Sequence, residues 1–290
     1  MIYNNLGNTG LRVSAVTFGG IVVMDVTPDE ASQYVAEAVA AGVNYFDIAP
    51  SYGNAQERLG PALEPYREKI VLACKTGRRD AAGAREELNN SLRVMRTDRF
   101  DVYQLHGLSN MDELDAAFAP GGAMETFIDA KRAGIVRNVG FSAHSEEVAL
   151  AALERYPFDT VLFPMNWAMG VVTGWGNALA AKRAERGFGL LAIKTLVRRL
   201  WRDGEERDYP KSWCKPILSR PNEGDTALAV AGMKYALSKG AQTLVPPGDI
   251  AHFRFMLAHI GDCTGPLTDS EYEMLRTEAE KVKDELIFKA

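Results

Sequence analysis

The sequence is poor in cysteine, in excess basic charge and in long apolar runs. Its three cysteines are odd in number and widely spaced, which provides neither a disulfide framework nor the C-x-x-C spacing of many metal sites. A net charge of -5 argues against a basic surface for nucleic acid. No stretch approaches the ~18 consecutive apolar residues of a membrane span, and the first residues lack the pattern of a signal peptide. We therefore expect a cytoplasmic protein that acts on a small molecule, with no nucleic-acid, membrane or metal partner and with its oligomeric state left open.

Short apolar runs alternate with helical segments along almost the whole chain. A hairpin, Ile2–Leu6 and Leu11–Val13, is predicted at the start, and capping residues such as Thr27 open the later helices. The length of 290 residues suits one (β/α)8 barrel, which typically needs about 250 residues. The pattern predicts a single α/β domain over residues 1–290, a (β/α)8 TIM barrel, although a doubly wound open sheet would have a similar pattern. The predicted barrel strands are Ala15–Phe18, Tyr45–Ile48, Ile70–Ala73, Phe100–Leu105, Val136–Phe141, Thr160–Phe163, Leu190–Ile193 and Gln242–Val245.

Two segments fall outside this repeat. Val197–Gly224 is long, irregular and rich in Arg, Lys, Trp and Pro, so it is either a functional lid or a surface excursion. The sequence does not decide whether it closes over a bound cofactor. Leu267–Phe288 has the pattern of an additional amphipathic helix packed outside the barrel.

Two apparent motifs carry no chemistry. Gly187–Ala192 satisfies G-x-G-x-x-A, but it leads into a strand instead of joining a strand to a helix, so we interpret it as a turn. Side chains alternate along a strand, so Cys74 points away from its neighbour Lys75 and is predicted to pack under a helix.

Four polar residues cluster near the ends of successive predicted strands: Asp47, Tyr52, Lys75 and His106. The carboxyl ends of parallel strands meet at one rim of a barrel, and neighbouring strands are about 4.8 Å apart. Each residue alone has an ordinary structural explanation, such as a turn cap, a packing ring or a surface ion pair. Together they predict a reactive site.

The four side chains suit carbonyl reduction. A tyrosine hydroxyl has a pKa of about 10, which a neighbouring ammonium group can lower, and Lys75 could supply that charge beside Tyr52. A buried lysine needs a counter-charge, for which Asp47 is the nearest candidate. A neutral His106 could orient a carbonyl oxygen while Tyr52 donates a proton. Only a hydride source is missing.

The chain resembles the aldo-keto reductase family in the order and content of several segments. These are LGNTGLRVSAVTFGG, GVNYFDIAPSYGNAQERLGPAL, KIVLACKTG, LNNSLRVMRTDRFDVYQLHG, AKRAGIVRNVGFS and YALSKGAQTLVPPG. The resemblance implies a (β/α)8 barrel, an NADPH or NADH cofactor across the carboxyl rim, and a catalytic tetrad of Asp47, Tyr52, Lys75 and His106. Tyr52 would be the general acid in reduction and the general base in oxidation.

The same resemblance implies cofactor contacts, with departures. Ala143 stands where the family commonly has asparagine, Leu162 where many members have glutamine, and Ile193 where an aromatic residue often stacks on the nicotinamide. The predicted cofactor-binding residues are Gly20, Ile21, Ser142, Lys194, Thr195, Leu196, Pro247, Gly248 and Asp249.

Asp249 bears on the choice of cofactor. Many NADPH-preferring members have a basic residue after the eighth strand, where this chain has Asp249. An acidic side chain would repel a 2′-phosphate and could accept a hydrogen bond from a ribose hydroxyl. Asp249 therefore weakly favours NADH. Arg254 follows closely and could counter this effect. Alternatively, Asp249 caps the next helix.

Substrate contacts are expected from Met24, Trp167 and Trp175, although burial elsewhere is an equal alternative for each tryptophan, as it is for Trp201 and Trp213. Two other functions remain open. One is a Schiff-base, aldolase-type enzyme that uses Lys75 as its nucleophile. The other is a non-catalytic, nicotinamide-binding regulatory protein.

Overall fold

The computed structural model describes residues 1–219 and 225–288. An antiparallel hairpin of β1 (Tyr3–Asn5) and β2 (Arg12–Ser14) comes first, with Tyr3 opposite Ser14. Leu6 and Val13 are fully buried and pack in one apolar cluster with the inward-facing residues of the barrel strands. The hairpin therefore closes the end of the barrel opposite the carboxyl rim, as an apolar plug does.

Eight parallel strands form the main sheet, each hydrogen-bonded to the next. A parallel bridge between Val16 and Leu244 joins the first strand region to the last, through the bonds Thr17 N to Leu244 O and Leu244 N to Ala15 O, both 2.9 Å. This bridge closes the sheet, so the predicted (β/α)8 fold is confirmed. In order around the barrel, the strands are β3 (Phe18–Gly19), β4 (Tyr45–Asp47), β5 (Val71–Thr76), β6 (Phe100–Leu108), β7 (Val136–Ala143), β8 (Thr160–Pro164), β9 (Gly189–Ile193) and β12 (Thr243–Leu244).

Helices surround this sheet and begin where the sequence supplies caps. Thr27 accepts from Glu30 N, and the Glu30 carboxylate accepts from Thr27 N, so a capping box starts the first helix. The α-helices are α1 (Pro28–Ala40), α2 (Ala55–Leu63), α3 (Ala81–Val94), α4 (Met111–Phe118), α5 (Ala123–Arg132), α6 (Glu146–Arg155), α7 (Trp167–Thr173), α8 (Asn177–Arg186), α9 (Thr226–Ser238), α10 (Ile250–His259) and α11 (Asp269–Glu280). Short 3-10 helices span Gly20–Val23, Glu64–Lys69, Ile260–Cys263 and Lys283–Glu285. None of the helices in the described ranges combines the length and the apolar character that crossing a membrane requires.

Several strand ends differ from the prediction, and two of them bear on the site. Strand β5 continues to Thr76 and β6 to Leu108, so Lys75 and His106 lie inside their strands instead of just beyond them. Pairing with a neighbouring strand carries the backbone past the last apolar residue, and the apolar pattern alone does not reveal this.

The segment predicted as irregular contains its own hairpin. Strands β10 (Val197–Leu200) and β11 (Cys214–Pro216) pair antiparallel, so the segment is partly ordered by backbone hydrogen bonds. Residues 220–224 of the predicted segment 197–224 lie outside the described residues. At the C-terminus, α11 packs against α7 and α9, on the outside of the barrel as expected.

The two discounted motifs behave as turn and packing residues. Gly187, with φ 73°, ends α8 in the left-handed region just before β9. Cys74 is fully buried, accepts from Gln56 Nε2 of α2 at 3.6 Å, and has its pKa raised to about 12 by burial.

Candidate active site

A buried ion pair lies at the base of the site. Lys75 Nζ on β5 donates to Asp47 Oδ2 on β4, and the two side chains are 1% and 3% exposed. Lys75 Nζ also donates to Ile48 O at 3.4 Å. Burial alone would lower the pKa of Lys75, but the Asp47 carboxylate outweighs it and holds that pKa above its usual value. The lysine is therefore an ammonium ion at neutral pH.

Tyr52 lies beside this ammonium ion. Lys75 Nζ is 3.3 Å from Tyr52 Oη and 5.1 Å from the centre of its ring. A tight turn after β4 places the ring there: Tyr52 N donates to Ala49 O at 3.1 Å, and Gly53 follows with φ 54°. Burial raises the pKa of Tyr52, although Lys75 acts in the opposite direction. The hydroxyl therefore keeps its proton near neutrality, which is the form that can donate it.

His106 completes the group from β6. Its ring lies edge-on to the Tyr52 ring, with 5.7 Å between centroids, and its Nδ1 is 3.3 Å from Ser51 Oγ. Burial and the charge of Lys75 lower the pKa of His106 to about 3. The imidazole is thus neutral, and when Ser51 donates to Nδ1, its Nε2 carries the proton and can donate to an oxygen. The structure brings together all four residues predicted from the sequence.

A cavity of about 220 Å³ opens above the four residues. Five of the predicted cofactor residues line it: Ile21, Ser142, Lys194, Pro247 and Gly248. Leu162 and Ile193, the positions that depart from the family pattern, line it as well.

Four predicted cofactor residues do not line the cavity. Thr195 and Leu196 are fully buried. A Cβ added at Gly20 would overlap Ile48 Cδ1 and lie 2.9 Å from Asp47 O, so this glycine permits close packing behind the site. Asp249 caps α10, with its Oδ1 accepting from Ala251 N at 2.8 Å. Asp249 therefore caps a helix, which is the alternative role considered for it from the sequence.

Arg254 is also engaged elsewhere. Its Nε and Nη2 donate to the two carboxylate oxygens of Glu37 at 2.8 and 2.7 Å, and its guanidinium lies over the Tyr34 ring. Any contact with a 2′-phosphate would compete with this bidentate pair.

Sequence reasoning missed His144. His144 follows the end of β7 and lines the cavity. Of the two residues before it, Ser142 accepts at its Oγ from Gly107 N at 2.7 Å, and Ala143 is fully buried. Burial and the charge of Lys194 lower the pKa of His144 to about 4, so it is a second neutral imidazole in the site. The alternation of side chains along a strand, which places His144 on the side of Ser142, could have indicated it.

Two more cavity residues were missed in the segment between β10 and β11, Lys211 and Ser212, and Trp213 beside them, for which the sequence left pocket and burial open, also lines the cavity. Lys211 Nζ donates to Val22 O at 3.2 Å, and Lys194 Nζ lies 4.2 Å from the centre of the Trp213 ring. Among the described residues, neither lysine has a carboxylate within ion-pair distance. The composition of this segment signalled a functional role, but not which residues reach the site.

Trp167 and Trp175, which were expected to contact the substrate, do not line the cavity. Trp167 is fully buried and donates to Val197 O at 3.1 Å. Trp175 donates to Pro164 O at 2.8 Å and stacks between Phe163 and Phe288. Met24 lies beside Gly53, outside the cavity lining. The two tryptophans therefore serve packing, because each indole N–H finds a buried carbonyl partner.

The groups that line the cavity suit a nucleotide cofactor. In the part of the chain that the structure describes, no group of three or more His, Cys, Asp or Glu side chains is placed to hold a metal ion. Lys194 and Lys211, which have no ion-pair partner among the described residues, line the cavity together with Gly248, and Lys194 and Gly248 belong to the loops after β9 and β12. These correspond to the loops after barrel strands seven and eight, which often bind phosphate in this fold.

Comparisons with known proteins agree with this geometry. The aldo/keto reductase family profile matches residues 15–246. The chain is 32% identical to an L-galactose dehydrogenase of Arabidopsis thaliana over 213 residues, which cover 67% of this chain and 65% of that protein. It is 31% identical to an uncharacterized oxidoreductase of Bacillus subtilis over 152 residues, which cover 48% of this chain and 47% of that one. The matches thus span between about half and about two thirds of these relatives.

A solved aldo-keto reductase from Bacillus halodurans, in its holo form, has the same fold. It superposes with a TM-score of 0.72 at 23% identity, covering 97% of this chain and 96% of that one. Since the family profile extends over most of the sequence, the chain belongs to the aldo/keto reductase family.

Proposed function

We propose that the protein reduces an aldehyde or ketone to the alcohol with NADPH or NADH, reversibly, with Tyr52 as the general acid and base. The observation that carries the proposal is the contact of 3.3 Å between Lys75 Nζ and Tyr52 Oη above the buried Asp47 carboxylate. A protonated phenol next to a fixed ammonium group is a proton donor whose anion is stabilised as it forms.

The roles of the residues follow from their protonation states. Neutral His106 donates a hydrogen bond that orients the carbonyl oxygen. When bound, the nicotinamide supplies a hydride, which is the electron pair that the carbonyl carbon gains. Tyr52 gives its proton to the carbonyl oxygen, and Lys75 stabilises the phenolate that remains. In the oxidative direction the phenolate takes the proton back.

The residues that would hold the cofactor are those that line the cavity. Ser142 and His144 offer polar atoms near the tetrad, while Lys194, Lys211 and Gly248 would face the phosphates. The cavity volume of about 220 Å³ is below the roughly 300–1,000 Å³ of common ligand sites. We therefore expect the segment between β10 and β11 to shift when a dinucleotide binds.

Cofactor preference stays a prediction. The weak expectation of NADH depends on the Asp249 carboxylate being near the ribose. One oxygen of that carboxylate, Oδ1, accepts a hydrogen bond from Ala251 N. Fluorescence titration with NADH and with NADPH measures binding and preference together. Preference for NADH that disappears in Asp249→Asn would support the expectation, and tighter binding of NADPH by the wild type would contradict it.

The Schiff-base alternative is disfavoured by the state of Lys75. A nucleophilic lysine must lose its proton, whereas the Asp47 carboxylate holds the pKa of Lys75 above its usual value. Borohydride reduction in the presence of a carbonyl substrate would trap a covalent adduct on Lys75 if that mechanism operated. We expect no adduct.

A turnover assay separates an enzyme from a binding protein. Oxidation of NADH and NADPH is measured across a panel of aldehydes and ketones, and the reverse reaction is measured with alcohols and with aldoses such as L-galactose, because one relative bears that name. Turnover with any substrate supports the proposal. Tight cofactor binding with no turnover would favour the regulatory alternative, and no binding of either cofactor would refute both.

A further inference from the structure

Beneath the tetrad, the barrel interior holds polar atoms without protein partners. Among the described residues, these are the hydroxyl of Tyr45, Oδ1 of Asp47, both amide atoms of Gln104 and the hydroxyl of Thr160. All four residues are at most 2% exposed. Within the described part of the chain, this region of the barrel interior therefore contains several donors and acceptors that neither bulk water nor the protein satisfies.

These side chains face the barrel interior in neighbouring layers, since Tyr45 and Asp47 are two residues apart on β4. They come from β4, β6 and β8, the second, fourth and sixth strands of the barrel, and inward side chains of alternate strands share layers in this fold. Gln104 lies opposite Lys75 in the register of β5 and β6, and opposite Gly140 in that of β6 and β7. A Cβ added at Gly140 would overlap Thr160 Oγ1 and lie 3.2 Å from Gln104 Cγ, so those two side chains converge over this glycine.

The polar composition of this region is unusual for a barrel interior. Bulky branched apolar residues usually fill it, and Val102, two residues before Gln104, follows that pattern. Buried amides and hydroxyls nearly always have partners, and buried waters typically make about three hydrogen bonds to such groups. Gln104 and Tyr45 can donate, and Asp47 Oδ1 can accept, so one water among them would make the three hydrogen bonds that are typical of buried water.

We propose that ordered water in this part of the barrel interior links Asp47 Oδ1 to the Gln104 amide and the Tyr45 hydroxyl, and that Gln104 is thereby a positioning residue for the tetrad. The hydrogen bond to Oδ1 keeps the carboxylate ionised and directs its other oxygen to Lys75, which in turn holds Tyr52. The catalytic part of this inference rests on the proposed function, whereas the water site does not.

A hydrogen bond to a carboxylate favours its charged form, so loss of the bond raises the pKa of Asp47. Burial already raises this pKa, and Lys75 lowers it. Several titratable or charged groups face Asp47 or act on the groups that face it. They are Tyr45 on the same strand, Lys75 and Cys74 on β5, Tyr52 on the turn after β4, His106 and Asp101 on β6, and Arg79 near His106.

The matched test replaces one buried glutamine at a time. Gln104→Met keeps the length of the side chain and removes its hydrogen bonds, and should move the acidic limb of the kcat/KM pH profile up by about one unit. Gln56→Met is the control, since Gln56 is also buried but donates to Ser91 Oγ at 2.9 Å on the outer side of β5. It should leave the acidic limb where it is in the wild type. An unshifted limb in Gln104→Met, or equal shifts in both variants, would refute the positioning role.

A crystal structure that resolves ordered waters tests the site without any variant. We expect a water within hydrogen-bond distance of Asp47 Oδ1 and of the Gln104 amide in the wild type. No such water, or a direct protein partner for the Gln104 amide, would overturn the proposal even if the protein is an active reductase. Conversely, a water at this site in a protein that oxidises neither cofactor would leave the site established and refute the proposed function.

Discussion

Replacing Lys75 by methionine would leave Asp47 buried without a counter-charge. Because both side chains are at most 3% exposed, we expect the loss typical of a broken buried pair, about 3–5 kcal/mol of unfolding free energy at pH 7. Part of this loss depends on pH. Burial raises the pKa of Asp47, and without Lys75 that pKa rises further.

The sign of the pH dependence follows from proton uptake. In the variant, the folded state keeps the Asp47 proton at pH values where the unfolded state, with a pKa of about 3.9, has lost it. The variant is therefore most stable below about pH 4 and loses stability as pH rises through the folded-state pKa, by up to about 1.4 kcal/mol per unit. Urea unfolding at several pH values, followed by tryptophan fluorescence, measures the difference from the wild type.

Two controls separate charge from packing. Asp47→Asn/Lys75→Met removes both charges and should recover most of the stability, without the loss of stability above about pH 4 that Lys75→Met shows. Arg96→Met breaks the exposed pair with Glu64, whose side chains are 54% and 55% exposed, and should cost less than about 1 kcal/mol. A Lys75→Met deficit under about 1 kcal/mol that stays constant from pH 4 to 8 would refute the buried-pair account.

Three further predictions follow from individual contacts. Lys211→Ala should weaken NADH or NADPH binding by about 10- to 100-fold in fluorescence titration, through one lost charge-assisted bond to the cofactor. Lys239→Ala, which loses a bond to Asn177 and a contact with the Tyr235 ring away from the cavity, should have no effect. Thr27→Ala should lower the unfolding free energy by about 0.5–2 kcal/mol in urea, because it removes the capping box of α1, and an unchanged value would show that the cap is dispensable. His106, with its pKa near 3, should show no titration between pH 5 and 8 by NMR, and a midpoint near 6.5 would contradict its burial as a neutral base.

The tetrad was predictable because it depends on local and repetitive features. Apolar runs located the strands that carry Asp47, Lys75 and His106, and the shared carboxyl rim of parallel strands brought them together. Gly53 and the preceding turn residues marked the bend that returns Tyr52 to the rim. The exact strand ends were harder to predict from the sequence, since they depend on pairing with neighbouring strands.

The rest of the site depends on contacts between distant segments. Lys211 reaches the cavity through its bond to Val22 O, 189 residues earlier in the chain, which no local pattern encodes. Tryptophans often line ligand pockets, which is why Trp167 and Trp175 were expected there. Their indole N–H groups instead donate to buried carbonyl oxygens, so both rings lie in the packed interior. The alternation along β6 places Gln104 inside the barrel, whereas its lack of a protein partner is visible only in three dimensions.

The proton donor is the central claim, and Tyr52→Phe tests it most directly. Steady-state reduction by the variant is compared with the wild type on the best substrate of the carbonyl panel, with Tyr272→Phe, 45% exposed, as the matched control. The account predicts that Tyr52→Phe lowers kcat by about 10²- to 10⁴-fold while cofactor binding stays within a few-fold of wild type and Tyr272→Phe remains fully active. A Tyr52→Phe variant that retains the wild-type kcat would contradict the account.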